Sequence, residues 1–350
     1  MKTEIVVLTE DNIDENIIKK AGKIIKEGGL VAFPTETVYG LGGDGLNPDS
    51  SRKIYAAKGR PSDNPLIVHI STWDAIYKIT KDIPKEARLL ADAFWPGPLT
   101  MIFKKSDAVP YETTGGLETV AVRMPSNKIA RAFIKASGEY VAAPSANLSG
   151  RPSPTLAKYV CEDMDGRIEM IIDGGASDVG LESTIIDLTD NKPVILRPGY
   201  VTQKMLEEAL KKDVEWDRAI IDADCKQAPK APGMKYRHYA PKGTLSIVEG
   251  DTAKVIKMIN EFTDKARKEG KKVGVIATDE TKDLYKADVV KSVGKRSSES
   301  DMAHHLFRVL REFDDDNTDV MFSESFEGNG INQAVMNRLL KAAGHQIIKV

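Results

Sequence analysis

Cysteine is nearly absent. Cys161 and Cys225 are the only two in 350 residues, too few and too isolated for a disulfide framework or a zinc site, so both read as reduced thiols with no disulfide partner. Long apolar runs are missing too: none approaches the ~20 residues that a membrane-spanning helix needs. The opening MKTEIVVLTEDNIDE lacks the basic start and apolar core of a secretory leader, and the expectation is a cytoplasmic protein with no membrane partner. Charge of one sign is not in excess either. With 50 Lys and Arg against 52 Asp and Glu the net charge is −2, which argues against a general nucleic-acid coat while leaving room for a local basic patch. The GxxxxGK(S/T) phosphate loop, HExxH, paired CxxC and the GxSxG elbow do not occur, so P-loop nucleotide binding, zinc-dependent hydrolysis and serine-type acyl transfer lose their usual support.

What is present concentrates between Leu30 and Ile70, LVAFPTETVYGLGGDGLNPDSSRKIYAAKGRPSDNPLIVHI. Leu30 to Phe33 suit a buried strand, which breaks at Pro34 into a loop carrying Thr35, Thr37, Tyr39 and four glycines. A strand emptying into such a loop is a common ligand site. Asp49 and Ser50 can cap a short helix that carries Ile54 and Ala57 and delivers Lys58 and Arg60 at its end. After Asn64 the chain returns as an apolar strand, Pro65 to Ile70, with His69 next to last.

The rest of the chain follows an α/β rhythm, and its length suits two domains, each able to bury a core. Residues 12–27, 84–94, 127–136 and 202–212 read as helices. Strands are expected at the end of WPGPLTMIF (95–103), at 119–125 with Arg123, at 140–143, at 168–173, within 180–189, and at 193–199 with Arg197. The 140–143 strand opens into PSANLSGRPSPT, a second polar patch holding Ser145, Asn147, Arg151 and Ser153. Regular pattern is lost over 213–242. Lys226 to Lys242 has five basic residues, no acidic ones and three prolines; a plain linker would account for that, but the aromatics and cations of YRHY (236–239) suggest docking, with phosphates the obvious target. From 243 onward strands at 244–249, 272–277, 287–290 and 318–324 alternate with helices at 252–268, 300–313 and 332–343. That alternation indicates a small parallel α/β domain, with no GxGxxG after a strand to support dinucleotide binding.

The chemistry-bearing residues are cations and hydroxyls that fall where apolar strands end: Lys58, Arg60, Arg123, Arg151 and Arg197, with Ser145, Asn147, Ser153, Ser183 and Thr184. Taken singly, each has an ordinary explanation. Lys58 and Arg60 can simply favour a helix dipole, His69 can be structural, the serines can form turns, and Arg123 and Arg197 can make surface ion pairs. Jointly they suit an anionic ligand with several phosphates, where catalysis comes from positioning and charge neutralisation. Magnesium is then expected with the phosphates. No acidic cluster singles itself out as its ligands, although Glu36 and Glu182 lie near these segments.

The runs FPTETVYGLG, KGRPSDNPLIVHI, APSANLSGRPSPT, LESTIIDLT and ILRPG closely resemble the Sua5/YrdC family, the L-threonylcarbamoyladenylate synthases. APGMKYRHYAP followed by an α/β domain resembles the long, Sua5-type form. The resemblance implies an open twisted mixed α/β sheet with a concave active site in residues 1–212, a linker over the site at 213–242, and a smaller Rossmann-like parallel α/β domain at 243–350. It implies the synthesis of threonylcarbamoyl-AMP and pyrophosphate from L-threonine, bicarbonate and ATP, ahead of a transferase machinery that installs t6A beside the anticodon of tRNAs reading ANN codons. By motif, Thr37, His69, Arg123, Ala143 and Ser183 would hold L-threonine. Arg60, Asn64, Thr119, Ser145, Ser153, Arg197 and Tyr236 would hold ATP, and the pairs Lys58/Arg60 and Ser145/Asn147 would carry catalysis.

A mechanism follows as an expectation: threonine's amine adds to carbon dioxide derived from bicarbonate, and the carbamate oxygen attacks the α-phosphate. Lys58, Arg60 and magnesium would neutralise the departing pyrophosphate, with the basic linker as a lid. Two other readings stay open. One is an RNA-binding module, weakened by 27 Lys and Arg against 29 Asp and Glu in residues 1–212. The other is carbamoyl transfer from carbamoyl phosphate, whose usual cysteine-rich companion regions this chain lacks.

Overall fold

The structure, a computed structural model, describes residues 2–221, 239–326 and 328–350. They fall into two compact units. The first holds residues 2–149, 154–178 and 182–221; the second holds residues 239–350 together with the short segments Gly150–Ser153 and Val179–Leu181.

The first unit is built on one open, mixed sheet. Its strands run in the order Glu4–Val7, Met170–Asp173, Val31–Phe33, Gly40–Asp44, Val141–Ala143, Ile67–His69, Thr119–Arg123, Leu99–Lys105, Thr184–Asp187, Val194–Arg197 and Glu215–Trp216, with Thr80–Lys81 beside Leu99–Lys105. Alternation along each strand sends neighbouring residues to opposite faces, and helices cover the two faces unequally. On one face Val31, Phe33, Val141 and Met170 pack against helices Glu15–Lys26 and Lys128–Ser137. On the other, Val68, Met101, Val120 and Val122 join Leu90 of helix Lys85–Phe94 and Leu206 of helix Gln203–Leu210. The first face beyond Val141–Ala143 is different. There Ile67, Ile102, Ala121, Ile185 and Leu196 form a cluster made of strand residues alone, so this half of the sheet is free to present polar side chains.

Local chemistry sets the helix that leads to the site. Asn47, not Asp49 or Ser50, caps Pro48–Lys58, accepting from the Asp49 amide at 2.9 Å; Pro48 at the first helical position places the cap two residues before Asp49. The segment YGLGGDG, expected as loop, is mostly strand, Gly40–Asp44. Glycine is what permits it: a Cβ on Gly40 would stand 3.0 Å from the Phe33 ring, and one on Gly42 2.8 Å from Val141 Cγ1 and 3.1 Å from the same ring. Phe33 lies across this strand and meets His69 edge-on, ring centroids 6.0 Å apart.

Residues 213–221 also depart from expectation, since Glu215–Trp216 pairs with Val194–Arg197 and Arg218–Ile221 is a helical turn. Cys161 is an unpaired, half-buried thiol; Cys225 lies outside the described residues. Among the described residues no helix is long and apolar enough to cross a membrane.

The second unit is a parallel sheet in the order Val289–Ser292, Val273–Ala277, Val320–Glu324, Thr244–Glu249 and Ile347–Lys349. Its last strand, unread in the sequence, pairs with Thr244–Glu249. Within this unit Arg311, 1% exposed, donates from Nε and Nη2 to the Pro152 carbonyl at 3.0 and 2.7 Å. Asp314 accepts from the Lys242 amide at 2.7 Å and pairs with Arg151 at 3.4 Å. Arg151 and Pro152, in the middle of PSANLSGRPSPT, are therefore held within the second unit by Asp314 and Arg311.

Candidate active site

Strand register alone assembles a polar row. Val141 pairs with His69, His69 with Arg123, Arg123 with Thr100, Thr100 with Ile185, and Ile185 with Arg197. Directly paired residues share a face, so one transverse line across six strands carries an imidazole, two guanidiniums and a hydroxyl. Ala143, two residues on from Val141, stands on the same face. Ser183 precedes Thr184–Asp187 and joins the row through its hydroxyl, 2.7 Å from Thr100 Oγ1. Thr119 is on this face too, but at the far end of its strand, about 13 Å from Arg123. That separation suits a ligand reaching from an amino acid to a nucleotide.

Burial decides the charge states. His69 is enclosed, and burial, then the neighbouring Arg123 charge, pushes its pKa down to about 3, so the imidazole is neutral at physiological pH. Its Nδ1 lies 3.1 Å from the Ile67 carbonyl. Arg123 is itself buried and faces Glu36, with Nη2 2.8 Å from Oε1; Nε reaches the Gly97 carbonyl at 3.4 Å. Thr37 comes from the loop next to Glu36. Thr35 donates its single hydroxyl hydrogen to the Val38 carbonyl at 2.6 Å, so across the 2.9 Å contact between the two hydroxyls Thr37 is the donor. Thr37 Oγ1 is left with lone pairs for an incoming N–H or O–H.

Arg197 turns its guanidinium onto Ser183: Nε and Nη2 donate to the carbonyl at 3.0 and 2.9 Å, and Nη2 reaches Oγ at 3.1 Å. The expected threonine and ATP residue sets therefore meet at this pair. A second group surrounds Lys58, whose buried Nζ donates to the carbonyls of Ser145 and Asn147 and faces Asn147 Oδ1 at 3.5 Å. Ser145 Oγ donates to that same Oδ1. The KxR and SxN pairs thus form one unit in which an ammonium organises a loop. Arg60 closes KGRPSDNP on itself, donating from Nη2 to the carbonyls of Asn64 and Pro65 at 3.3 and 3.2 Å. Tyr55 Oη also donates to the Asn64 carbonyl at 3.1 Å, and burial raises that phenol to about 12.

Not every expected residue falls in these groups. Ser153 belongs to the segment assigned to the second unit, and Tyr236, with most of the expected lid, lies outside the described residues. Thr100 and Glu36 were missed as partners. Thr100 carried no motif signal; Glu36, between two threonines at a strand end, did.

The Sua5, YciO and YrdC family model, described as "Telomere recombination", matches residues 23–199, and a model described as "Threonylcarbamoyl-AMP synthase, C-terminal domain" matches 201–344. The chain belongs to the Sua5/YrdC family. Two relatives match it end to end. The threonylcarbamoyl-AMP synthase of Pyrococcus abyssi is 48% identical over 99% of both chains, and that of Bacillus subtilis 45% identical over 100% of both. Among solved structures, P. abyssi Sua5 complexed with L-threonine superposes with a TM-score of 0.93 at 48% identity, covering 99% of this chain and 100% of that one. The Sua5 fold accordingly accounts for both units.

Proposed function

We propose that the chain makes threonylcarbamoyl-AMP and pyrophosphate from L-threonine, bicarbonate and ATP in the cytoplasm, as the first step towards t6A in tRNAs reading ANN codons. The observation that carries this is the row of His69, Arg123 and Arg197 on the helix-free half of a sheet face, in a chain matched along its length by a Sua5 complexed with L-threonine.

Arg123 offers a guanidinium that can grip the amino acid's carboxylate by two hydrogen bonds. Thr37, the neutral His69, Ala143 and Ser183 complete that subsite. Arg60, Asn64, Thr119, Ser145, Ser153, Arg197 and Tyr236 take ATP. The substrate's ammonium gives up a proton, which is consumed as bicarbonate loses water to give carbon dioxide; the freed amine adds to that carbon dioxide and releases a second proton to solvent, and the carbamate oxygen displaces pyrophosphate at the α-phosphate. Lys58 fixes Ser145 and Asn147 so that they and Arg60 line the phosphates and offset their growing charge. The labile product passes to a threonylcarbamoyl transferase acting on tRNA.

Magnesium would come with the nucleotide and supply charge neutralisation there. Among the described residues no three His, Cys, Asp or Glu side chains converge to hold a metal.

The test is pyrophosphate release by the purified chain with L-threonine and bicarbonate each present or omitted, alongside mass spectrometry of the product. Release should require both and should yield the adenylate. Release indifferent to threonine would overturn the reading.

A further inference from the structure

Glu36 is a buried carboxylate whose charge has only a partial account. It is 5% exposed, and its one ionic neighbour among the described residues is Arg123, 2.8 Å away. Neither of its oxygens, nor Arg123 Nη2, is aligned for a hydrogen bond. A buried carboxylate ordinarily collects several donors, and here the amides that follow it in the chain, those of Thr37 and Val38, go to Thr35 Oγ1, each at 3.2 Å.

Electroneutrality says what is missing. Arg123 faces one carboxylate and a neutral imidazole, while the row's other guanidinium, Arg197, is turned onto Ser183. If a bare carboxylic acid took Arg123, two carboxylates would share a single guanidinium away from water, an unfavourable arrangement. A zwitterion removes the problem, because its carboxylate takes Arg123 while its ammonium takes the unaligned oxygens of Glu36.

We infer that Glu36 binds the α-ammonium group of the substrate and so makes the site specific for amino acids over hydroxy acids. This rests on Arg123 being the carboxylate's partner, as proposed above. Glu36 is then a specificity-determining residue, in addition to aligning Arg123.

Calorimetric titration of the full chain with L-threonine and with 2,3-dihydroxybutanoate, which replaces the amine by a hydroxyl, tests the assignment. The wild-type protein should favour threonine at least tenfold. Glu36→Gln should lose tenfold or more for threonine while holding or improving its affinity for the hydroxy acid. Equal losses for both ligands would mean that Glu36 only aligns Arg123, and would overturn the inference. Should Glu36→Gln fail to fold, the wild-type comparison decides alone, since equal affinity for the two ligands there also overturns it. A wild-type chain that binds neither ligand fails at the threonine reading itself, a separate result from a wild-type chain that binds threonine without discriminating.

Discussion

Arg123 and His69 face each other across adjacent parallel strands, and burial together with that guanidinium keeps the imidazole neutral, its pKa pushed down to about 3. A cation and a histidine are thereby held side by side without repelling each other.

This relationship predicts an acid-side loss of stability. The unfolded histidine titrates near 6.5, above its folded value, so between about pH 6.5 and 3 the unfolded chain binds a proton that the folded chain refuses. Stability therefore falls as pH drops through that window and loses nothing further from this group below it. The loss is on the order of a few kcal/mol. Denaturant titrations from pH 7.5 to 4 should show the slope, and His69→Gln should flatten it; an unchanged slope would refute the buried-imidazole account.

Arg123→Ala removes the partner of a buried carboxylate. The cost should be roughly 3–5 kcal/mol in unfolding free energy, with threonine affinity reduced a hundredfold or more and ATP affinity largely kept. Adding Glu36→Gln to the same chain should restore part of the stability without restoring threonine binding. Parallel loss of both ligands in binding titrations would show that Arg123 serves the whole site and not the amino acid.

Lys58→Met should loosen the loop that its ammonium organises. Carbonyls of Ser145 and Asn147 lose a charged donor, an effect of about 1.5–3 kcal/mol per bond at most. The KM for ATP should rise severalfold, with threonine affinity measured without nucleotide little changed. An unaltered KM for ATP would mean that the loop keeps its shape without the ammonium.

Gly42→Ala puts a methyl 2.8 Å from Val141 Cγ1 and 3.1 Å from the Phe33 ring. Overpacking of this kind costs about 1–3 kcal/mol, and because Phe33 lies edge-on to His69 the strain reaches the site. A lowered melting temperature with a raised KM for threonine is expected. A neutral result would show that the ring can shift without disturbing the imidazole.

Much of this was legible in the chain. Helices Glu15–Lys26 and Thr252–Lys268 show apolar residues at helical spacing, and strands such as Val194–Arg197 are apolar runs bounded by turn residues. The errors were of specific kinds. Gly40–Asp44 gave no strand signal because a ring from the neighbouring strand fills the room that its own side chains would occupy. Ile347–Lys349 is three residues long, and edge pairing defines it more than composition does. At Asn47 the neighbouring Pro48 settled which of three capable side chains became the cap.

What the amino-acid order determined by itself is the inventory: which residues end strands, where the polar loops fall, and a combination of motifs specific enough to identify the family. Those are local properties, set by propensity and by side-chain period. Tertiary structure alone decided the pairing, because register across strands distant in sequence placed His69, Arg123, Thr100 and Arg197 in one line, and burial made the imidazole neutral. It also brought Glu36 to Arg123 across 87 positions of chain, a contact that no local period encodes, since its energy exists only once both groups have left water.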